Sequence, residues 1–148
     1  MKMKGNIMKS ITIMQGCSGS GKSFIAEAIN HFDSNCSIRS TDSLWYENGC
    51  YKFDYKKLKE KHLKNQYLVE CDMKNEIPNI IIDNTNITQK QAQPYINLAN
   101  KYDYNISVIK VSTSITECKR RNSFRYLDRM VPENVIDNQF KNMKDIIL

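Results

Sequence analysis

Short apolar runs alternate along the chain with longer stretches in which apolar residues recur every three or four positions. Residues 11–15 form a compact apolar run that meets glycines at once, which predicts a buried strand. Phe24, Ile25, Ala28 and Ile29 then fall at helical spacing, so a helix is expected over 23–32. A second short strand is expected over 36–40, followed by a loop over 41–53 that carries the turn signal Glu47-Asn48-Gly49. Asp54 is a good N-cap for a long helix running to about Lys74, with Leu58, His62, Asn65, Val69 and Met73 on one inward stripe. Ile80, Ile81 and Ile82 are apolar at consecutive positions, as a strand buried on both faces requires. Thr88 and Gln91 form a capping box for the next helix, in which Pro94 marks either the first helical position or a kink. Residues 106–111 read as a fourth strand. Ser114 and Glu117 box the start of a basic helix, and Pro132 opens a last helix with Ile136, Phe140, Met143 and Ile147 on one stripe. Strands that alternate with helices imply an α/β domain around a small, mostly parallel sheet of about four strands.

Composition narrows the class. A chain of 148 residues suits a single domain, here expected to span 1–148 with a flexible extension over 1–9. The net charge of +6 favours an anionic partner such as a nucleotide or nucleic acid. The cysteine count, Cys 5, is odd and contains no C-x-x-C pair, so reduced thiols and a cytoplasmic setting are expected rather than a disulfide framework or a zinc site. The basic N-terminus lacks the apolar run of a signal peptide, and no stretch approaches the ~18 apolar residues of a membrane span.

The chemistry enters with Gly16-Cys17-Ser18-Gly19-Ser20-Gly21-Lys22-Ser23, which fits G-x-x-x-x-G-K-[ST] at every fixed position. It follows an expected strand and opens an expected helix, the context that gives the motif its meaning. Its glycines let the backbone fold around phosphates, and its amides and the helix N-terminus present positive potential to them. Lys22 is placed to reach the β- and γ-phosphates of ATP, and Ser23 to offer its hydroxyl to Mg²⁺. Asp83, at the end of the isoleucine strand, is the candidate second carboxylate for that metal. The fold expected is therefore that of a P-loop NTPase, a three-layer sandwich with a basic helical lid. Asn100-Lys101-Tyr102-Asp103 matches the guanine-reading tetrapeptide of GTPases, but it follows a helical pattern instead of a strand end and is rejected. Small size argues against a motor and for phosphoryl transfer.

The segments "GCSGSGKS", "RSTDSLW", "IIIDNTNI", "CKRRNSFR" and "VPENVIDNQFKNM" together resemble the kinase domain of phage polynucleotide 5′-kinases. With "NGCYKFD" and the His62-x-x-Asn65 pattern added, the chain is still more similar to the compact kinase module of the NEDD-four-binding-protein group. This resemblance covers about residues 11–143 and implies transfer of the γ-phosphate of ATP to a 5′-hydroxyl of DNA or RNA, in nucleic acid repair. It implies that Asp42 accepts the hydroxyl proton and that Arg125, with Arg121 beside it, lies over the phosphates. The acceptor set it implies is Asp42, Trp45, His62, Asn65, Asn84 and Thr85. Trp45 stands where the phage enzyme has an acceptor-binding arginine, and Asp83 lies one place before the phage aspartate, whose position is taken by Asn84. No D-x-D-x-T phosphatase signature or ligase segment is present, so repair partners would be separate chains.

Other readings stay beside this one. Trp45 either stacks on a base or covers the core edge, and His62 is either a core histidine or a pocket residue. Arg121, Arg125 and Arg129 recur at i, i+4 and i+8, which expects one basic face on a continuous helix. The lysines at 56, 57, 59, 61 and 64 spread around their helix as a solvated face. Cys17 should act through its amide, although a helix N-terminus tends to lower a thiol pKa. A small-molecule kinase acting on a nucleoside, sugar or sugar nucleotide, and an ATP-binding module without catalysis, are the alternative functions.

Overall fold

A computed structural model describes residues 5–148; the first residues of the expected extension lie outside them. Four strands form one parallel sheet: β1 (Ser10–Gln15), β2 (Cys36–Arg39), β5 (Asn79–Ile82) and β6 (Asn105–Lys110), in the order β2-β5-β1-β6. The remaining pair, β3 (Tyr46–Glu47) and β4 (Cys50–Tyr51), makes a separate antiparallel hairpin. Five helices complete the fold: α1 (Lys22–Phe32), α2 (Leu58–Lys74), α3 (Gln89–Lys101), α4 (Ile115–Ser123) and α5 (Glu133–Asn142).

The period of the strands decides which helices cover which face. In β1, Ile11 and Ile13 pair in register with Ile80 and Ile82 of β5, and all four point toward α2 and α3. There they meet Val69, Met73, Ala92, Tyr95, Ile96 and Ala99. Met14 and Ile81 point the other way and pack on Ala26, Ile25 and Ile29 of α1. A third cluster, Cys17, Cys118 and Ile136, joins the loop after β1 to α4 and α5. The three-layer arrangement and the four-stranded sheet are as expected from the sequence. Lys9 is already tied to the sheet, because its carbonyl accepts from Asn105 N at 2.9 Å.

Several local expectations are corrected. The 41–53 segment is not a plain loop: Asp42–Trp45 winds into a 3-10 turn, and the hairpin turns at Asn48-Gly49, both in the left-handed region. Asp54 caps a 3-10 turn over Tyr55–Lys57 ahead of α2, accepting from Lys56 N. Pro94 sits inside α3 and not at its first position, with Gln91 turned back to the helix start as the capping box predicts. Ser114 accepts from Glu117 N, but the return half of that box is missing, because the Glu117 carboxylate is held by Arg120 and Arg121.

The largest correction concerns the basic segment. Helix α4 ends at Ser123, so Arg125 and Arg129 do not continue a face begun by Arg121. Asn122 closes the turn by donating to Val131 O and accepting from Val131 N at 2.7 and 2.9 Å. Phe124, Tyr126 and Leu127 stay exposed as the chain loops out, and it returns to the core where Val131 packs against Cys118 and Ile136. Helix α5 likewise ends at Asn142, with Ile136 buried but Phe140 and Ile147 exposed, so the four-residue stripe expected there does not form.

Candidate active site

The phosphate loop runs from the end of β1 to the start of α1 at the carboxyl edge of the sheet. Two glycines shape it. Gly19 has φ +83, and a Cβ there would come within 2.4 Å of the Cys118 carbonyl oxygen. Gly21 has φ +103 and is the N-cap residue of α1. Distant segments fix the rest. Gly16 N donates to Thr85 O, and Ser18 N donates to Gln139 Oε1 at 2.9 Å. The Ser20 carbonyl accepts from Thr113 Oγ1 at 2.7 Å and from Arg121 Nη1 at 3.1 Å. Thr113 had no signal in the sequence and Gln139 lay unmarked within the quoted "VPENVIDNQFKNM", because both reach the loop only through the folding of α4 and α5 against it.

Lys22 is 8% exposed and bonds through Nζ to Cys17 O at 2.8 Å. Its pKa is lowered to about 8, chiefly by burial, with Asp83 opposing the shift and the Arg125 charge adding to it. The loop thus holds a lysine whose charge is not yet matched, with a second cation, Arg125, close enough to be felt. Cys17 is corrected in the opposite direction from the expected one: burial raises its thiol pKa, with Cys118 adding to the effect. Its carbonyl, not its thiol, serves the loop.

Ser23 Oγ donates to Asp83 Oδ2 at 2.7 Å, as the two candidate metal residues should. Asp83 Oδ1 is buried without a hydrogen-bond partner. A buried carboxylate oxygen left unpaired is costly, and a cation is the natural group to satisfy it. Mg²⁺ asks for one or two protein oxygens and takes its other ligands from phosphate and water. The pair fits that demand, and the described residues hold no denser cluster of metal-binding side chains.

On the acceptor side, the end of β2 is bound to the end of β5. Asp83 N donates to Arg39 O at 2.9 Å, and Thr41 N donates to Asn84 Oδ1 at 2.9 Å. This brings the exposed Asp42 to the same edge as Ser23 and Asp83. Tyr51 OH, from the hairpin, donates to Asp42 Oδ1 at 2.6 Å. Burial and the bond to Asp42 raise the Tyr51 pKa well above its usual value, so it stays a donor. Tyr51 is the residue that the sequence missed; the quoted "NGCYKFD" segment contained it but could not show that its hydroxyl reaches back to residue 42.

The remaining acceptor residues divide. Trp45 is corrected: at 3% exposure it packs on Phe53, with ring centroids 4.8 Å apart, and Lys61 Nζ lies over its ring. It covers the core edge and offers no face for stacking. Asn65 is also corrected as a surface contact residue: at 1% exposure it donates through Nδ2 to Tyr95 OH at 2.8 Å, and its buried Oδ1 has no hydrogen-bond partner. Asn84 Nδ2 reaches the same hydroxyl at 3.3 Å. His62 Nδ1 pairs with Thr41 Oγ1 at 3.2 Å, and burial lowers its pKa, which favours the neutral ring. These side chains form a hydrogen-bonded network behind Thr41 and Asp42, in which Asn65 is buried and His62 and Asn84 are half-buried. Thr85 contributes its carbonyl to Gly16.

In the lid, Glu117 holds Arg120 and Arg121 at 2.7 and 2.8 Å, which depresses its own pKa to about 2. Lys119 is tied to Asp137 of α5 at 2.7 Å. Arg125 and Arg129 have no carboxylate within ion-pair distance among the described residues. The rejected Asn100-Lys101-Tyr102-Asp103 segment ends α3, where Lys101 pairs with Glu70 at 2.9 Å.

A family model described as "AAA domain" matches residues 11–147. The chain belongs to this AAA domain family. As a member, it is 38% identical over 96 residues to human NEDD4-binding protein 2, a match that covers 65% of this chain and 5% of that protein. The chain thus spans a small part of that relative's length. Among solved structures, a chain of the Pnkp1/Rnl/Hen1 RNA repair complex superposes with a TM-score of 0.76 at 20% identity, over 96% of this chain and 46% of that one. A gluconokinase from Sinorhizobium meliloti 1021 gives 0.59 at 15% identity, over 95% and 78%. Kti12 of Chaetomium thermophilum, solved with ADP-AlF3, gives 0.66 at 11% identity, over 91% and 80%. This AAA domain therefore has the P-loop kinase fold. No described helix is long and apolar enough to cross a membrane.

Proposed function

We propose that this AAA domain is an ATP-dependent kinase that transfers the γ-phosphate to the 5′-hydroxyl of a polynucleotide. The observation that carries the proposal is Asp42: an exposed carboxylate, oriented by Tyr51, on the same sheet edge as the phosphate loop. A phosphoryl-transfer site needs a phosphate cradle, cations for the equatorial oxygens and a group to receive the acceptor proton. In the mechanism, the loop amides and Lys22 hold the β- and γ-phosphates, and Arg125 leans over the transferring group. The acceptor O5′ forms the new P–O bond as the bond to the β–γ bridging oxygen breaks. Asp42 takes the hydroxyl proton, and ADP leaves. Ser23 and Asp83 would hold Mg²⁺, which when bound neutralises charge on the phosphate oxygens.

The likeness to a chain of an RNA repair complex supports a nucleic acid acceptor. The net charge of +6 points the same way. The gluconokinase likeness, over nearly all of the chain, favours a small-molecule kinase as the second reading.

The test is transfer of labelled γ-phosphate from ATP to matched 5′-OH RNA and DNA oligonucleotides, with Lys22→Ala as the blank. Transfer is expected to weaken as salt rises, because a polynucleotide acceptor releases counterions on binding. Transfer to a nucleoside or sugar but to neither oligonucleotide would establish the second reading.

A further inference from the structure

Trp45 ends the 3-10 turn and Tyr46 begins β3, and at that junction the two neighbouring side chains part. Trp45 goes into the core; Tyr46 comes out, 43% exposed. Across the hairpin Tyr46 is paired in register with Tyr51, and the two rings meet edge to face with centroids 5.3 Å apart. The Arg129 guanidinium lies 5.8 Å from the Tyr46 ring centre and 5.9 Å from that of Tyr51. It has crossed from the lid segment to reach them, and no carboxylate neutralises it within ion-pair distance among the described residues. The hydroxyl of one of these rings is the donor to Asp42 Oδ1.

An exposed ring, a planar cation and a second ring therefore stand together, the second ring bonded through its hydroxyl to the carboxylate assigned to the acceptor. We propose that Tyr46, Tyr51 and Arg129 form a seat for the nucleobase of the acceptor's 5′-terminal residue, which makes a base-bearing acceptor the substrate class of this site. The inference rests on the reading that Asp42 faces the acceptor hydroxyl. Rings and guanidinium planes accept any base by its π-face, so the seat discriminates base from no base and not one base from another. The unmatched Arg129 charge adds attraction for the polyanion to which that base is attached.

The test compares a fluorescent 5′-OH oligonucleotide with the same oligonucleotide abasic at its 5′-terminal residue. Stacking is worth ~1–3 kcal/mol per base, so the wild type should bind the intact end roughly fivefold to a hundredfold more tightly. Tyr46→Ala and Arg129→Ala should bring that ratio close to unity, whereas Tyr46→Phe should keep it. A hairpin that merely braces the fold would weaken both ligands equally and leave the ratio intact; that result, or equal binding of the two ligands by the wild type, overturns the seat. ATP affinity of each variant serves as the check that it has folded. Phosphorylation of free nucleosides but of no oligonucleotide would defeat the polynucleotide reading and support the seat. A preferred acceptor that is a sugar without a base would defeat both.

Discussion

The donor side and the acceptor side of this site are built by different means. The donor side is a short contiguous loop whose shape is enforced by backbone: Gly19 against the Cys118 carbonyl, Gly16 N on Thr85 O, and the Ser20 carbonyl pinned from α4 and the segment before it. The acceptor side is assembled from side chains that lie far apart in sequence. Tyr51 reaches Asp42, Asn84 reaches Thr41, His62 reaches Thr41, and Arg129 reaches Tyr46. A backbone cradle suits phosphates, which every nucleoside triphosphate presents alike. A side-chain cradle can be rebuilt one residue at a time, which is how one fold serves many acceptors.

The sharpest way to separate the two sides is Asp42→Ala. Loss of a general base costs about 10²–10⁴-fold in turnover, and kcat should fall by that factor while the Kd for ATP changes little. Near-normal kcat in this variant would remove Asp42 from the mechanism. Arg125→Ala should come next, at about 10²–10³-fold in kcat, the usual cost of losing one donor to transition-state charge. Because Arg125 has no carboxylate partner to strand, its removal should leave the melting temperature within a degree or two.

These two residues also mark how far the sequence could be read. Lys22, Ser23 and Asp83 were legible because a strand, a glycine loop and a strand end leave local signatures that need no tertiary knowledge. Asp42 was legible only through its resemblance to a family, since an aspartate after a strand is otherwise a turn former. Arg125 was expected on a continuous basic helix, whereas it lies beyond the end of α4. Helical spacing alone could not foresee that Asn122 would bind Val131 and end the helix. Trp45 ends a 3-10 turn and Tyr46 begins a strand, and nothing in their identities says which one faces the core. Tyr51 was invisible as a functional group for the same reason: its role is a contact made across a hairpin whose register sequence does not state.

Tyr51→Phe tests the weaker, side-chain half of the comparison. A hydrogen bond to a charged group is worth about 1.5–3 kcal/mol, and part of that should survive because the ring remains. A drop of roughly tenfold in kcat is expected, with the Kd for ATP unchanged. An equal fall in ATP affinity would mean that the hairpin braces the whole edge and does not act on Asp42 alone.

The smallest effect belongs to the donor side and comes from the titration of Lys22. In the free protein burial lowers the Lys22 pKa from 10.5 to about 8. The lysine is therefore charged below about pH 8 and increasingly neutral above it. A bound triphosphate needs that charge and raises the pKa again, so ATP binding must take up a proton at alkaline pH. Affinity should be lost as pH rises past about 8, by up to tenfold per unit until the pKa of the bound state is reached. The sign is opposite to that of acid-sensitive carboxylate sites, in which binding is lost as pH falls. Calorimetric titration of ATP near pH 7 and near pH 9, in two buffers of different ionisation enthalpy, reads both the fall and the proton. An affinity that is flat across that interval, with no proton uptake, would mean that Lys22 keeps its charge in the free loop. The Cys17 carbonyl that holds Nζ would then be compensating for its burial more fully than the lowered pKa allows.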